Sequence, residues 1–363
     1  MTRGLGLFAI VAAVAALAAV PFIAPPFYVN LLVPFFGYAI ALLGFNLLFG
    51  YAGLLSFGHA MFLGLGAYGA AVIAGVLGIK SFEVVLVGVA LAGLVVALPI
   101  GLMCVRYTGI FFGMLTLAFG MLAHSFLFKF YHLTGGDSGM RVPRMSILGL
   151  EFPAYNKMEF LVGPFYYYCL ALLVIAGFIM WRIVNSPFGL HLKALRDNAQ
   201  KAEYVGVRVR HFRLAAFVIS AIYGAIGGAI LGFRVGVADP ELVHWTHSGH
   251  LVFMTVLGGF SSFFGPISGA LALTLLQDQL QSATQYWRFV LGAILAAMVI
   301  FFPRGLAGIA GDLATSFPRR RQSTQAGIAS AESFAAPGLR AEGASPTLRA
   351  EGASPTRRGG DVL

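Results

Sequence analysis

The sequence predicts an all-α fold, a polytopic bundle of membrane-spanning helices, and three observations lead there. Hydrophobic residues make up 59% of the 363-residue chain and charged residues only 10%, whereas an ordinary soluble domain carries about a quarter charged residues. The mean hydropathy is +0.85. Apolar residues come in unbroken runs of bilayer length, and the basic residues gather between those runs.

The runs fall at 4–23, 31–49, 58–79, 83–103, 109–128 and 160–181, each close to the roughly 20 residues that cross a hydrocarbon core. The first follows Arg3 and is trailed by Pro21, Pro25 and Pro26 with no clear small-residue cleavage site, so it reads as an uncleaved helix rather than a signal peptide. Three further runs lie at 214–233, 250–275 and 289–302, and Gly258, Gly259, Gly265 and Pro266 interrupt the middle one. Splitting that run at the interruption gives about ten transmembrane helices, with eight as the fallback, in a membrane domain covering residues 1–305.

Charge sets the expected orientation. Arg182, Lys193, Arg196, Lys201, Arg208, Arg210 and Arg213 lie between two runs against only Asp197 and Glu203, and such basic loops stay on the cytoplasmic side. Counting crossings from the 185–213 loop puts Arg3, Arg106, Arg304 and both termini on that side and 129–159 outside. The net charge of +10 therefore reads as topology in a lipid bilayer, with no nucleic-acid partner. Cys104 and Cys169 each sit inside an apolar run, which suggests neither a disulfide framework nor a thiolate metal site. From 316 to 363 the chain turns Arg-, Ser-, Ala-, Gly- and Pro-rich, and LRAEGASPT repeats at 339–347 and 348–356. That tail is expected to be disordered and cytoplasmic, its nine-residue tandem repeat being too short and polar to stack.

Within the membrane, Gly224, Gly228 and Gly232 form a GxxxGxxxG stripe of the kind that lets helices pack closely where lipid supplies no hydrophobic drive. Polar residues at membrane depth are costly and face a bundle interior or a watery path. Asn46, Ser56, His59, Thr116, His124, Thr255 and Thr274 are such residues, and Asn46, Ser56, His59, Thr116 and Thr255 are candidates for a solute path. Ser56 and His59, three apart, would share a helix face and could also be a nucleophile and base. An intramembrane hydrolase is thus the rival class, although the chain has no GxSxG and no HExxH. Polar packing is the third reading of the pair.

No GxxxxGK[ST] phosphate loop occurs, so ATP-driven work would have to come from a partner and no cofactor is expected in this chain. Residues 192–204 lack Gly and Pro and precede Gly206, which predicts one helix ending near Gly206 on which such a partner could dock.

Four stretches in order, GYAGLLSFGHAMFLGLGAY at 50–68, LTGGDSGM at 133–140, SPFGLHLKALRDNAQKAEYVGV at 186–207 and LVFMTVLGGFSSFFGPISGA at 251–270, resemble the inner-membrane permeases of branched-chain amino acid ABC importers, the larger type called LivM. The resemblance implies a multi-pass inner-membrane transport subunit, not an enzyme. It also implies a second related permease, two ATPase subunits that bind the ATP, and a periplasmic solute-binding protein. The third stretch would contact the ATPases through Arg196, Asp197, Asn198, Ala202, Glu203 and Gly206. Permeases of this type resemble one another whether they carry branched-chain amino acids, other amino acids, or urea and short amides. The C-terminal repeat has no counterpart in the family pattern.

Overall fold

A computed structural model describes residues 2–150, 155–301, 305, 306 and 308. The 316–363 tail, its repeat and Arg304 lie outside these residues. Helices dominate because a helix pairs its own backbone groups within one segment, as an apolar environment demands. In order they are α1 (Thr2–Ile23), α2 (Pro26–Asn46), α3 (Ala60–Ala71), α4 (Phe82–Cys104), α5 (Ile110–Lys129), α6 (Tyr131–Thr134), α7 (Lys157–Val162), α8 (Pro164–Val184), α9 (Pro187–Asp197), α10 (Ala199–Tyr204), α11 (Val209–Val235), α12 (Trp245–Gly258), α13 (Gly265–Ala283) and α14 (Trp287–Phe301). Proline sits in the first turn of α2, α8, α9 and α13, where its missing N–H would have no helical partner anyway.

Helical segments occupy every stretch expected to cross, and the 250–275 run is divided between α12 and α13 at Gly258 and Gly265. Among the described residues five segments are long and apolar enough to span a membrane: Pro26–Tyr51, Phe82–Cys104, Ile110–Lys129, Lys157–Val184 and Val209–Val235. Val11–Ile23, Ala60–Val76 and Trp287–Met298 are shorter apolar helices. Two π-helical turns, Leu47–Tyr51 and Val72–Val76, extend α2 and α3. The protein is an all-α polytopic membrane bundle.

The most apolar window of α2 is 83% buried and that of α11 is 72% buried, against 22% for α5. This places α2 and α11 at the centre and α5 at the periphery. Helix α11 packs on α2, α3 and α4, while α2 also meets α8 and α13. Two tyrosine hydroxyls tie the layers together where lipid could not: Tyr166 donates to the Leu17 carbonyl at 2.7 Å and Tyr223 to the Ala176 carbonyl at 2.9 Å.

The ends of the bundle follow from α11. Strand β1 (Met140–Arg141) pairs antiparallel with β2 (Val237–Ala238), with Met140 opposite Ala238, and β2 follows α11 directly. Helices α9 and α10 precede α11, so the β1 segment and the basic loop lie at opposite ends of it. Inside the basic loop the structure corrects the expectation of one helix. Asn198 adopts an extended conformation (φ −160°, ψ 100°), ending α9, and its side chain accepts from the Lys201 N–H at 2.9 Å to start α10. A good N-cap residue interrupts a run of helix formers, because its carbonyl oxygen competes for backbone donors.

Candidate functional site

The chain between the π turn of α2 and the start of α3 is irregular, and it runs from one end of the bundle into its middle. At the outset Gly53 has a positive φ of 71°, and a Cβ there would approach Arg196 Cγ to 2.8 Å. Glycine is required on both counts: the left-handed conformation and the passage of the arginine stem. At the far end His59 Nε2 lies 3.2 Å from Ser220 Oγ, near the midpoint of α11, and the Ala60 N–H donates to Ser248 Oγ at 2.9 Å. The imidazole is flanked by the rings of Phe45 at 5.2 Å and Phe62 at 5.3 Å.

Ser56 and His59 are both fully buried, but neither lies on a helix. The helical periodicity that would have aligned them is absent, since α3 begins only at Ala60. The imidazole takes Ser220, not Ser56, as its partner, and Ser56 Oγ and His59 Nδ1 have no hydrogen-bond partner. A Ser56–His59 nucleophile and base pair is therefore not assembled.

Of the other candidates, Thr116 and Thr255 donate to carbonyls of their own helices, Gly113 at 2.9 Å and Leu251 at 2.8 Å, so their polar demand is met locally. Asn46 instead reaches across the bundle. Its Nδ2 donates to the Ser262 carbonyl at 3.3 Å in the turn between α12 and α13, and its Oδ1 is buried without a partner. His124 stands 5.0 Å from the ring of His244, at another place in the bundle, and Thr274 Oγ1 is buried without a partner. The structure thus gathers Ser56, His59, Ser220 and Ser248 at the start of α3, brings Asn46 to the second break, and leaves Thr116 and Thr255 as self-satisfied helix residues. Ser220 and Ser248 were missed, although each is a hydroxyl within or beside an apolar run.

The glycine stripe of α11 lies on α3. A Cβ at Gly228 would overlap the Leu63 carbonyl, one at Gly224 would come to 3.0 Å from Phe62 Cβ, and one at Gly232 to 2.9 Å from Ala67 Cβ. The two helices meet backbone to backbone.

In the α9–α10 segment, Arg196 turns inward. Its Nη1 donates to the Gly50 carbonyl at 2.6 Å, while its Nε lies 3.4 Å from Asp197 Oδ1. Lys193 sits 5.4 Å from the Tyr51 ring. Ala202 is buried, Glu203 is exposed, and Gly206 has a φ of 90° with open space where a Cβ would be. Between them Tyr204 and Val205 are 88% and 80% exposed. This apolar pair at the tip of α10 was also missed; two large apolar residues just before a glycine in a polar loop were the available signal.

The family model for the permease component of branched-chain amino acid transport systems matches residues 27–299. The high-affinity branched-chain amino acid transport system permease protein LivM of Escherichia coli K12 is 27% identical over 290 residues, covering 74% of this chain and 67% of that protein. The LivM protein of Salmonella typhimurium is 28% identical over the same shares. The autoinducer 2 import system permease protein LsrC of Photorhabdus laumondii is 28% identical over 144 residues, 36% of this chain and 41% of that protein. No solved structure matches the chain. With three quarters of its length fitted by one family model and its helices arranged around α2 and α11, the chain belongs to the family of branched-chain amino acid transport system permease components, as a multi-pass membrane transport subunit.

Proposed function

We propose that this chain is the permease subunit of an ABC importer for branched-chain amino acids, which forms the solute path together with a second related permease. Two ATPase subunits bind and hydrolyse the ATP, and a solute-binding protein delivers the solute from the periplasm. The chain lies in the bacterial inner membrane, with the α9–α10 segment and both termini cytoplasmic and the 130–156 connection outside. Residues 185–213 form the coupling loop, with Asp197, Asn198, Glu203 and Gly206 shaping its outer surface and Ala202 packed beneath it. Asn46, Ser56 and His59 line the path as it opens; their buried atoms without partners are groups that a hydrated solute or water would satisfy.

The observation that carries this reading is the tip of α10. Tyr204 and Val205 project almost fully exposed from a short helix at the end of the bundle where the basic residues collect. Apolar side chains in that position fit a groove on a soluble partner. The support for the substrate is the family match and the LivM relatives. The test is ATP-driven uptake of leucine by the reconstituted complex in competition with isoleucine, valine, urea and acetamide. Competition by isoleucine and valine alone is expected; competition by urea or acetamide would assign the path to short amides instead.

A further inference from the structure

The coupling loop was expected to present Arg196 to a soluble partner, and the partly exposed side chain also reaches the membrane domain through Nη1. There it meets the last turn of α2. The turn Leu47–Tyr51 is π-helical, with the Ala52 N–H bonded to the Leu47 carbonyl at 3.1 Å and the Leu54 N–H to the Leu48 carbonyl at 3.0 Å. Gly50 is left with a carbonyl at the negative end of the helix, where a cation is favoured. Arg196 Nη1 fills that position at 2.6 Å.

Gly50 is also where the second break touches α2. A Cβ at Gly50 would overlap both Asn46 Oδ1 and the Phe260 carbonyl. The rings of Phe49 and Phe260 lie 5.1 Å apart, and Asn46 Nδ2 holds the Ser262 carbonyl. The five residues 46–50, at the end of α2 and in its π turn, are therefore gripped from outside by α9 and from within by the turn joining α12 to α13. π-helical turns carry one residue more than the α-helical register and are frequent at functional sites.

We propose that Arg196 is a positioning residue that links α9 mechanically to the π turn of α2, so that displacement of the coupling segment is passed through Gly50 and Asn46 to the α12–α13 turn. The link rests on the importer reading above and deepens it. Of the guanidinium's five N–H donors, one on Nη1 is committed to a carbonyl inside the chain, which ties α9 to the membrane domain whatever the remaining donors meet. The planar guanidinium matters because it bonds Gly50 through one nitrogen while meeting Asp197 through others, a division that a lysine ammonium reproduces only in part.

The experiment uses the complete complex in proteoliposomes and reads solute uptake per ATP hydrolysed for wild type, Arg196→Lys and Arg196→Met. Arg196→Met should lower that ratio by about tenfold, within the usual range of coupling effects, with the ATPase subunits still co-purifying; Arg196→Lys should recover part of the ratio. Uptake and hydrolysis falling in equal proportion would make Arg196 an ordinary docking contact and overturn the link, as would an unchanged ratio. Loss of the assembled complex in both variants would show a purely structural role and equally overturn it. Failure of the importer reading itself would appear in the wild-type complex as absent ATP-driven uptake, before any variant is compared.

Discussion

His59 Nε2 lies 3.2 Å from Ser220 Oγ, and both residues are fully buried. The imidazole has no other hydrogen bond, since its Nδ1 is already without a partner. Ser220→Ala should therefore destabilise the protein by about 1–3 kcal/mol, the cost of leaving a buried polar group unpaired. Ser56→Ala removes a buried hydroxyl that bonds nothing and should be neutral or stabilise the protein by up to about 1–3 kcal/mol, the cost of that unpaired group. Thermal unfolding in detergent measures both; an equal effect of the two would show that Ser56 also has a partner.

The glycine stripe makes a second contrast. Gly228→Ala would force α11 away from the Leu63 carbonyl and should cost about 1–3 kcal/mol through overpacking. Gly249→Ala, in α12 with nothing near its Cβ position, should be neutral or stabilise by up to about 1 kcal/mol through helix propensity. Recovery of monodisperse protein after detergent extraction is the readout, and Gly228→Leu should give almost none.

Asn198 separates α9 from α10 through its side-chain bond to the Lys201 N–H. Removing this cap in Asn198→Ala should weaken α10 by about 0.5–2 kcal/mol. Hydrogen exchange over 199–204 should then speed up while exchange in α9 stays unchanged. Equal acceleration in both helices would show that they behave as one unit.

Orientation is tested with single cysteines at Asp137 and Lys201, two exposed positions at opposite ends of the bundle. Cys104 and Cys169 are buried and should remain silent. A membrane-impermeant thiol reagent added to intact cells is expected to label the Asp137 position only; labelling of the Lys201 position only would invert the topology.

The spans were legible because twenty apolar residues in a row admit few other structures, and the break between Gly258 and Gly265 was legible because glycine and proline punctuate it. Asn198 was not, since one capping side chain outweighed the helix formers around it. The Ser56 and His59 spacing misled for a related reason: a three-residue interval means a shared face only on a helix, and Gly53 ends regular structure before Ser56 is reached. The bond from Arg196 to Gly50 was not legible because the carbonyl it reaches lies 146 positions away in sequence. Tertiary partners of this kind leave no local pattern.

The most direct test of the central claim is uptake of labelled leucine by proteoliposomes holding this chain with its partner permease, both ATPase subunits and the solute-binding protein. Uptake should require enclosed ATP. Gly206, at a φ of 90°, cannot take a β-branched side chain without strain of about 1–3 kcal/mol, so Gly206→Val should distort the exposed end of α10. That variant should reach the membrane in normal amount and lose most ATP-driven uptake. Normal uptake by Gly206→Val, or leucine uptake by the wild type without ATP, would contradict a permease driven through the α9–α10 segment.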